Sequence, residues 1–415
     1  MLRNYFKVAW KILGRHKLFT FISLFGISFT LFILTIVVSL IDHTFGAQPP
    51  ENRLKTTLTI SFGRLESERG GVATGPLFSP YFLQKTVKTL TTPAVTSMSS
   101  FHHPIVVYEN DIKQSLDLKF TDGEFWKIMD FVFLEGRPYT VREVQDYTPV
   151  AVINDQTRER FFDNDSAIGK MITVEGTRFR VVGVVENIPI LRMYPYADIW
   201  VPLTFSKEDL DEVRIMGNFP GWYGMALAQD PDDIPEIKAE FKSKLAQIDD
   251  PDGHWVDILT GANSYAEGIC QMLFKQEEGD TGPIFLILFV VMVVFMLLPT
   301  VNLININVSR IMDRASEIGV RKAFGASSLT LVGQFIVENI IITVLGGVIS
   351  LIMAWIVLGI VNHSGAIEHA HFTLNGRIFL WSMGICLFFG LFSGVYPAWR
   401  MSRLQPVDAL RGGPR

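Results

Sequence analysis

Long apolar runs alternate with polar stretches along the chain in a pattern typical of a membrane protein. Four runs, at residues 18–41, 283–306, 329–361 and 377–398, are long enough to cross a hydrocarbon core about 30 Å thick as helices. Between the first two runs, residues 42–282 have the mixed composition of a soluble domain. The pattern therefore predicts four transmembrane helices, with one large folded domain inserted between helices 1 and 2.

The inserted domain shows both strand-type and helix-type periodicity, which predicts an α+β fold. Residues Met171 to Glu186 predict a β-hairpin with its turn at Gly176, because β-rich segments flank that glycine. Strand and helix patterns occur at both ends of the domain, so residues 101–220 are expected to form an inserted β-rich subdomain. The other predicted strands are 56–62, 105–108, 116–120, 150–154, 222–228 and 255–259, and the predicted helices are 80–90, 155–162 and 233–248.

The first seventeen residues form a basic segment ahead of the first apolar run. Leu2, Phe6, Ala9 and Leu13 fall at helical spacing, and the basic side chains occupy another face. This pattern predicts an amphipathic helix over residues 1–17 on the cytoplasmic membrane surface, with a plain basic flank as the alternative. The apolar run that follows is longer than the roughly 7–15 residues of the apolar region of a signal peptide, so we expect an uncleaved anchor.

The distribution of Lys and Arg predicts the orientation of the chain. These residues concentrate in segments 1–17, 307–328 and 399–415, whereas segment 362–376 contains neither. The positive-inside rule places the basic segments, and so both termini, in the cytoplasm. The domain and the short loop 362–376 are then extracytoplasmic. The whole chain has a net charge of −5 although the cytoplasmic segments are basic, so the outer part is acidic. An acidic outer domain argues against a nucleic-acid partner.

Neither the cysteines nor the glycines indicate chemistry carried by this chain. Cys270 and Cys386 are expected to be free thiols, because a disulfide requires Cα atoms within about 7 Å and Cys386 falls at mid-span. The GK pair at Gly169–Lys170 lacks the upstream glycine of a phosphate-binding loop. ATP hydrolysis is therefore expected in a separate polypeptide.

Candidate metal ligands occur at three places, and none has the spacing of a known metal site. Neither group of histidines matches a zinc template, and the short acidic run lacks the third ligand and the glycine of a calcium loop. We predict no metal, no cofactor and no catalytic residue, since no nucleophile–base arrangement can be assigned either. The candidates are His102–His103, the group His363, Glu368, His369 and His371, and Asp163–Asn164–Asp165.

The cytoplasmic segment between the second and third apolar runs predicts an amphipathic helix from Ile311 to Lys322. Charged side chains share one side of this helix, and Glu317 and Arg321 form a favourable i,i+4 pair. Such a helix can rest on the membrane ends and present its charges to a cytoplasmic protein. A solvated connecting loop is the alternative.

Several of these segments resemble the MacB/FtsX/LolC-type permeases of ABC transporters. Residues 316–327, SEIGVRKAFGAS, are similar to the family's signature loop, and residues 334–338, QFIVE, with Gly346–Gly347, to the segment that follows it. Residues 396–411, YPAWRMSRLQPVDALR, resemble the family's C-terminal tail. Residues 161–185 resemble part of the MacB-type periplasmic core domain. The matches occur in the family order over most of the chain.

The resemblance implies a dimeric permease, made with a second copy or a paralogue, in the bacterial inner membrane. It implies that a separate cytoplasmic ABC ATPase docks on the coupling loop, and that ATP-driven closure moves the periplasmic domain, a process called mechanotransmission. A periplasmic adaptor and an outer-membrane channel are further partners of the family, beside the lipid bilayer itself. The coupling residues carried over are Ser316, Glu317, Ile318, Gly319, Arg321, Lys322 and Gly325.

Glu338 is an acid within the third apolar run. Because a charge at the bilayer centre costs at least about 2.5 kcal/mol, the sequence favours a polar or headgroup contact near the cytoplasmic end over ion transport.

Two other function classes stay open at this stage. One is an FtsX-like regulator, whose outer domain senses an envelope ligand or controls an envelope hydrolase. The other is a membrane-tethered enzyme, which would need a catalytic cluster that the sequence does not show.

Overall fold

The computed structural model describes most of the domain and two of the predicted spans. The described residues are 17–67, 70–76, 78–109, 112–163, 165–248, 255, 257–274, 281–283, 285–291, 293–294, 320, 324, 327–364, 376–377, 379–381, 383–384, 387–388 and 391. The N-terminal helix, Cys386 and most of the second and fourth predicted spans lie outside this set. The chain forms two compact units, of which one comprises Thr44–Ile284 with residues 367–370, and the other comprises the remaining residues.

The element order below uses our own numbering. The strands are β1 Thr57–Ile60, β2 Gly63–Glu66, β3 Val72–Gly75, β4 Val95–Ser100, β5 His103–Glu109, β6 Ile112–Thr121, β7 Phe133–Gly136, β8 Val150–Asn154, β9 Met171–Val174, β10 Thr177–Val185, β11 Ile199–Pro202, β12 Trp222–Leu227 and β13 Asp257–Leu259. The helices are α1 Lys17–Phe45, α2 Pro80–Thr86, α3 Phe125–Ile128, α4 Val141–Gln145, α5 Asp155–Phe162, α6 Ile234–Leu245, α7 Tyr265–Phe274 and α8 Ser328–Ser364.

A ten-stranded mixed sheet is the centre of the domain. Its main path is β1-β12-β4-β6-β11-β8-β10-β7, with β5 paired to β6 and β9 to β10. Strands β13, β2 and β3 form a second, three-stranded sheet. The strands of the predicted insertion continue the large sheet and join strand β4 through the pair Ser99–Thr121.

Both faces of the large sheet are covered by apolar packing. In β8, Val150 and Val152 belong to one buried cluster, whereas Ala151 and Ile153 belong to another. Because successive side chains of a strand point to opposite faces, the two clusters lie on opposite sides of the sheet. This burial explains why the central strand is a continuous apolar run instead of an alternating one.

Local signals fix the best-predicted elements. Glu175 and Gly176 have φ angles of 49° and 86°, as a two-residue type I′ hairpin turn requires. Helix α5 begins where the Asn154 side chain accepts a 2.8 Å hydrogen bond from the Thr157 backbone N–H, and it ends at Asp163 in the left-handed region.

Among the described residues, the second unit contains two helices that are long and apolar enough to cross a bilayer. The qualifying segments are Thr20–Ser39 in α1 and Ile336–Ser364 in α8. Ile27 and Leu31 of α1 pack against Ile341 and Ile342 of α8. The helices come so close at Gly346 that a Cβ atom there would lie 2.7 Å from Cγ2 of Ile27.

The α+β class predicted for the domain is confirmed, and every predicted strand and helix of the domain corresponds to an element of the structure. Strands β2, β3, β4, β7 and β11 and helices α3, α4 and α7 were not predicted. These are short segments or, in β4, a polar sequence, VTSMSS, that carries little strand periodicity.

Candidate functional site

The coupling loop predicted from the sequence lies almost entirely outside the described residues. Val320 and Phe324 are described, with exposed fractions of 46% and 88%. Helix α8 begins just after this loop, where Ser327 Oγ accepts a 3.2 Å hydrogen bond from the Thr330 backbone N–H. The structure therefore describes the end of the coupling segment. The residues Ser316, Glu317, Ile318, Gly319, Arg321, Lys322 and Gly325 stay a prediction.

Glu338 lies two residues after Ile336, where the apolar stretch of α8 begins. Its side chain is buried, with 2% of the residue exposed in this unit. The acid is therefore enclosed by protein in the structure.

The candidate histidines of the domain are held by neighbours of different kinds. Nδ1 of His102 lies 3.0 Å from Oδ1 of Asp117, and Oδ2 of the same carboxylate accepts a 3.0 Å hydrogen bond from the Tyr196 hydroxyl. The bond to His102 is the main reason that the pKa of Asp117 is lowered. His103 instead stacks beside Phe120. No group of three or more potential metal ligands comes together among the residues that the structure describes.

A buried arginine fastens the segment that follows helix α1 to the domain. The guanidinium of Arg192 donates hydrogen bonds to the carbonyls of Gly46, at 3.0 Å, and Gln48, at 3.4 Å. It also contacts the carboxylate of Glu51 at 2.9 Å, and the two side chains are only 2% and 3% exposed. Burial raises the pKa of Glu51, and Arg192 opposes that shift. The arginine thus binds three points of the segment that leaves the first apolar helix.

A buried lysine lies in the same polar cluster. Nζ of Lys119 donates hydrogen bonds to the carbonyls of Met193, at 3.2 Å, and Tyr194, at 2.6 Å, and to the Tyr223 hydroxyl at 3.3 Å. The residue is fully buried, and this desolvation lowers the pKa of Lys119 to about 7, although the Glu51 carboxylate acts in the opposite direction. The loop that carries Arg192 is therefore fixed to strand β6 as well.

Tyr194 connects the beginning of the domain to its end. Its hydroxyl lies 2.7 Å from that of Ser61, and its ring packs edge-on against Tyr265 at a centroid distance of 5.6 Å. The backbone N–H of Thr59 donates a 2.7 Å hydrogen bond to the carbonyl of Asn263. Tyr265 begins α7, the helix that precedes the second apolar run. We call Glu51, Lys119, Arg192, Tyr194, Tyr223 and Tyr265 the junction cluster.

The junction cluster has the features of a structural contact and not of a reactive centre. Its charged groups are paired or hydrogen-bonded, and burial raises the pKa of Tyr194 and Tyr223. Sequence reasoning missed the cluster because its members are single polar residues in irregular segments. A weak signal existed in Arg192, a lone cation within the apolar and proline-rich run from Ile188 to Tyr196.

Comparison with known families follows the two-part pattern of the fold. The profile of the MacB-like periplasmic core domain matches residues 20–244. The profile of the FtsX-like permease C-terminal region matches residues 289–406. Together the two profiles cover most of the chain, and the second match follows the first along the sequence.

The chain is also similar to individual curated relatives and to part of a solved structure. The chain is 22% identical to the macrolide export ATP-binding/permease protein MacB of Hahella chejuensis, with 98% of this chain and 59% of the relative covered. It is 23% identical to the protein of that name in Mannheimia succiniciproducens, with coverages of 74% and 45%. The chain therefore spans about half the length of these relatives. The periplasmic region of MacB from Actinobacillus actinomycetemcomitans is similar with a TM-score of 0.37 and 15% identity, over 53% of this chain and 94% of that structure.

Proposed function

The chain belongs to the MacB/FtsX-like family of ABC transporter permeases, and we propose that it is the membrane subunit that couples ATP hydrolysis by a separate cytoplasmic ATPase to movement of its extracytoplasmic domain. The observation that carries this proposal is the junction cluster. It fastens the segment after α1 to the core of the domain through Arg192 and Glu51. It also links that core to α7 through Tyr194 and Tyr265.

A fastening of this kind suits a subunit that transmits movement. A flexible linker would not pass a displacement of the helices on to the domain. A segment that is held by a buried ion pair and by hydrogen bonds to its carbonyls moves together with the domain. Breaking one partner of a buried pair leaves an uncompensated charge in a medium of low polarity, so the contact resists separation. Displacement of α1 along its axis would therefore reach the large sheet through Arg192.

The proposal extends to partners and orientation. The ATPase docks on the charged side of the coupling segment, at Glu317 and Arg321, and both termini are cytoplasmic. The active form is a dimer with a second copy or a paralogue. The relatives are named for macrolide export, so we propose export of a small molecule, in which a periplasmic adaptor and an outer-membrane channel take part.

Charge reversal in the coupling segment tests the ATPase interaction. Glu317→Lys and Arg321→Glu should each reduce copurification of the ATPase with the full chain and lower the ATP turnover that depends on the chain. Arg142→Glu is the matched control, because this side chain is 88% exposed in the domain. Unchanged ATPase binding in both loop variants would refute the assignment.

A separate measurement tests transmission and orientation. Spin labels at position 142 in the two copies should change their separation when ATP is added, and an Arg192→Met variant should keep ATP turnover but lose that change.

A cysteine introduced beside Arg321 should be protected from an impermeant thiol reagent in intact cells, whereas one at Gly70 should react. The reverse labelling pattern would mean that the topology is inverted.

A further inference from the structure

A tight turn in the loop from Ile188 to Tyr196 exposes two large apolar side chains. The backbone N–H of Arg192 donates a 2.9 Å hydrogen bond to the carbonyl of Pro189, so Ile190 and Leu191 occupy the two central positions of the turn. These two residues are 40% and 38% exposed. Turns favour glycine, proline, asparagine, aspartate and serine, so the turn itself does not explain a pair of large apolar residues at its centre.

The turn is held in place by the residues that follow it. Arg192, which closes the turn, is the buried arginine of the junction cluster, and its carbonyl accepts a 3.0 Å hydrogen bond from the Tyr196 backbone N–H. The Trp200 indole N–H donates a 3.2 Å hydrogen bond to the carbonyl of Pro195. Because the loop is fixed in this way, the two exposed side chains do not have to be ordered when they meet a partner.

The same arginine ties the turn to the first residues after helix α1. Its guanidinium donates a 3.0 Å hydrogen bond to the carbonyl of Gly46, which directly follows Phe45, the last residue of α1. The apolar stretch of α1 ends at Ser39. A helix rises about 1.5 Å per residue, so Phe45 lies about 9 Å beyond that stretch along α1, at the outer boundary of a headgroup layer about 5–8 Å thick. A turn that is bound to Gly46 is therefore close to the membrane surface.

Among the described residues, the two segments that meet at the turn expose no charged side chain. Residues 46–50, GAQPP, contain none, and Ala47 and Pro49 of this segment are exposed. Arg192 is the single charged residue of the loop, and it is buried against Glu51. A neutral apolar surface on an otherwise acidic domain favours a lipid surface over a charged partner.

We propose that Ile190 and Leu191 insert into the lipid surface beside α1 and hold the domain on the bilayer. Two partly exposed side chains are far smaller than the roughly 800 Å² per partner that a stable protein interface buries, whereas α1 itself brings the bilayer to the turn. This proposal requires that α1 crosses the bilayer, but it does not require an ATPase. Failure of the charge-reversal test at Glu317 and Arg321 would therefore leave it intact.

Quenching by labelled lipids tests the insertion in the full chain, reconstituted in phosphatidylcholine nanodiscs and carrying Cys270→Ala and Cys386→Ala. A fluorophore on Leu191→Cys should be quenched about threefold more than one on Val213→Cys by lipids that carry a spin label on the acyl chain near the headgroup. Val213 is the matched control, because it is an apolar residue that is 52% exposed. It lies in the loop after β11, whereas the turn lies in the loop before β11, so the two positions are at opposite ends of that strand.

A charge at the turn separates contact with lipid from contact with protein. Leu191→Asp should reduce the quenching of a fluorophore on Ile190→Cys about threefold, because a carboxylate disfavours insertion into the apolar layer. The melting temperature should not change, since both side chains are exposed. Equal quenching at positions 191 and 213, or unchanged quenching in Leu191→Asp, would overturn the proposal. An apolar emission spectrum at position 191 without quenching by lipid would also overturn it, because a second copy of the chain would then cover the turn.

Discussion

At the residue scale, Arg192 is the position where we expect a substitution to damage the domain most. Arg192→Met keeps much of the side-chain volume but leaves Glu51 buried without its partner, which should cost about 3–5 kcal/mol. The double variant Arg192→Met with Glu51→Met should be more stable than the single one, because no buried charge is then left. Thermal unfolding of the full chain gives the comparison.

The control for this prediction is Arg142→Met, at a side chain that is 88% exposed. This change should alter stability by less than about 0.5 kcal/mol. If Arg192→Met unfolded at the same temperature as this control, the buried pair would not hold the segment after α1.

Lys119 should make the stability of the domain depend on pH. Burial lowers the pKa of Lys119 from 10.5 to about 7 in the folded protein. Between these values the unfolded chain binds a proton that the folded chain has released, so stability rises with pH, by at most about 1.4 kcal/mol per pH unit. Below pH 7 both states hold the proton, and this contribution becomes constant.

Melting temperatures between pH 7 and 9 test this dependence. The variant Lys119→Met should lose the rise with pH, although it is also less stable because the hydroxyl of Tyr223 and two carbonyls lose a donor. Lys207→Met, at a side chain that is 73% exposed, should keep the rise. Parallel profiles of the wild type and Lys119→Met would contradict the assignment.

The sequence gives a weak signal for Arg192 and does not show which residues it contacts. Local patterns determine which residues form a strand or a helix, but the partner of Arg192 is 141 residues away at Glu51. Lys119 lies in β6, and the alternation of polar and apolar residues along that strand does not show on which face of the sheet its side chain lies. Only the packing of the loop from Ile188 to Tyr196 over the sheet shows that these side chains are buried together.

At the scale of elements, the two glycines Gly346 and Gly347 of α8 permit close helix packing. Gly346→Val would place atoms within 2.7 Å of the Ile27 side chain and should cost about 1–3 kcal/mol by overpacking. Gly359→Val is the matched control in the same helix, because no atom of another described element lies within 4 Å of a Cβ placed there. The fraction of the full chain that stays soluble in detergent after heating measures the difference.

An equal loss of stability in both variants would indicate a general effect of valine in this helix and not a close contact. The expected result, damage at Gly346 alone, would identify the face of α8 that packs on α1. This contact belongs to the membrane unit, where the driving force is close packing of small residues instead of exclusion of water.

The elements of the domain were predictable where a local rule was strong. The turn at Glu175–Gly176 and the cap at Asn154 set the bounds of the β9–β10 hairpin and of α5. Strand β11, Ile199–Pro202, was missed because four residues beside prolines carry no clear periodicity. It is buried between β6 and β8, so its place in the sheet depends on contacts distant in sequence.

At the scale of the whole molecule, the sequence patterns give the division into membrane and soluble parts but not the continuity of the sheet. The predicted insertion at 101–220 follows from the order of patterns along the chain. The structure places the strands of that segment in the same ten-stranded sheet as β1, β4 and β12. A single large sheet suits a domain that moves as one body when its connecting segments move.

The last prediction is that the domain folds without its membrane helices and binds neither nucleotide nor metal. Residues 44–284 form a compact unit with apolar clusters on both faces of the sheet, and the domain's size exceeds the roughly 100–150 residues of a typical domain. A fragment from Thr44 to Asp280 should therefore melt cooperatively, at a temperature unchanged by ATP, zinc or calcium. Because a ligand of the native state raises the melting temperature by mass action, a rise with zinc would indicate a site at His102 and His103. Failure of the fragment to fold would mean that the junction cluster needs α1 or a partner to form.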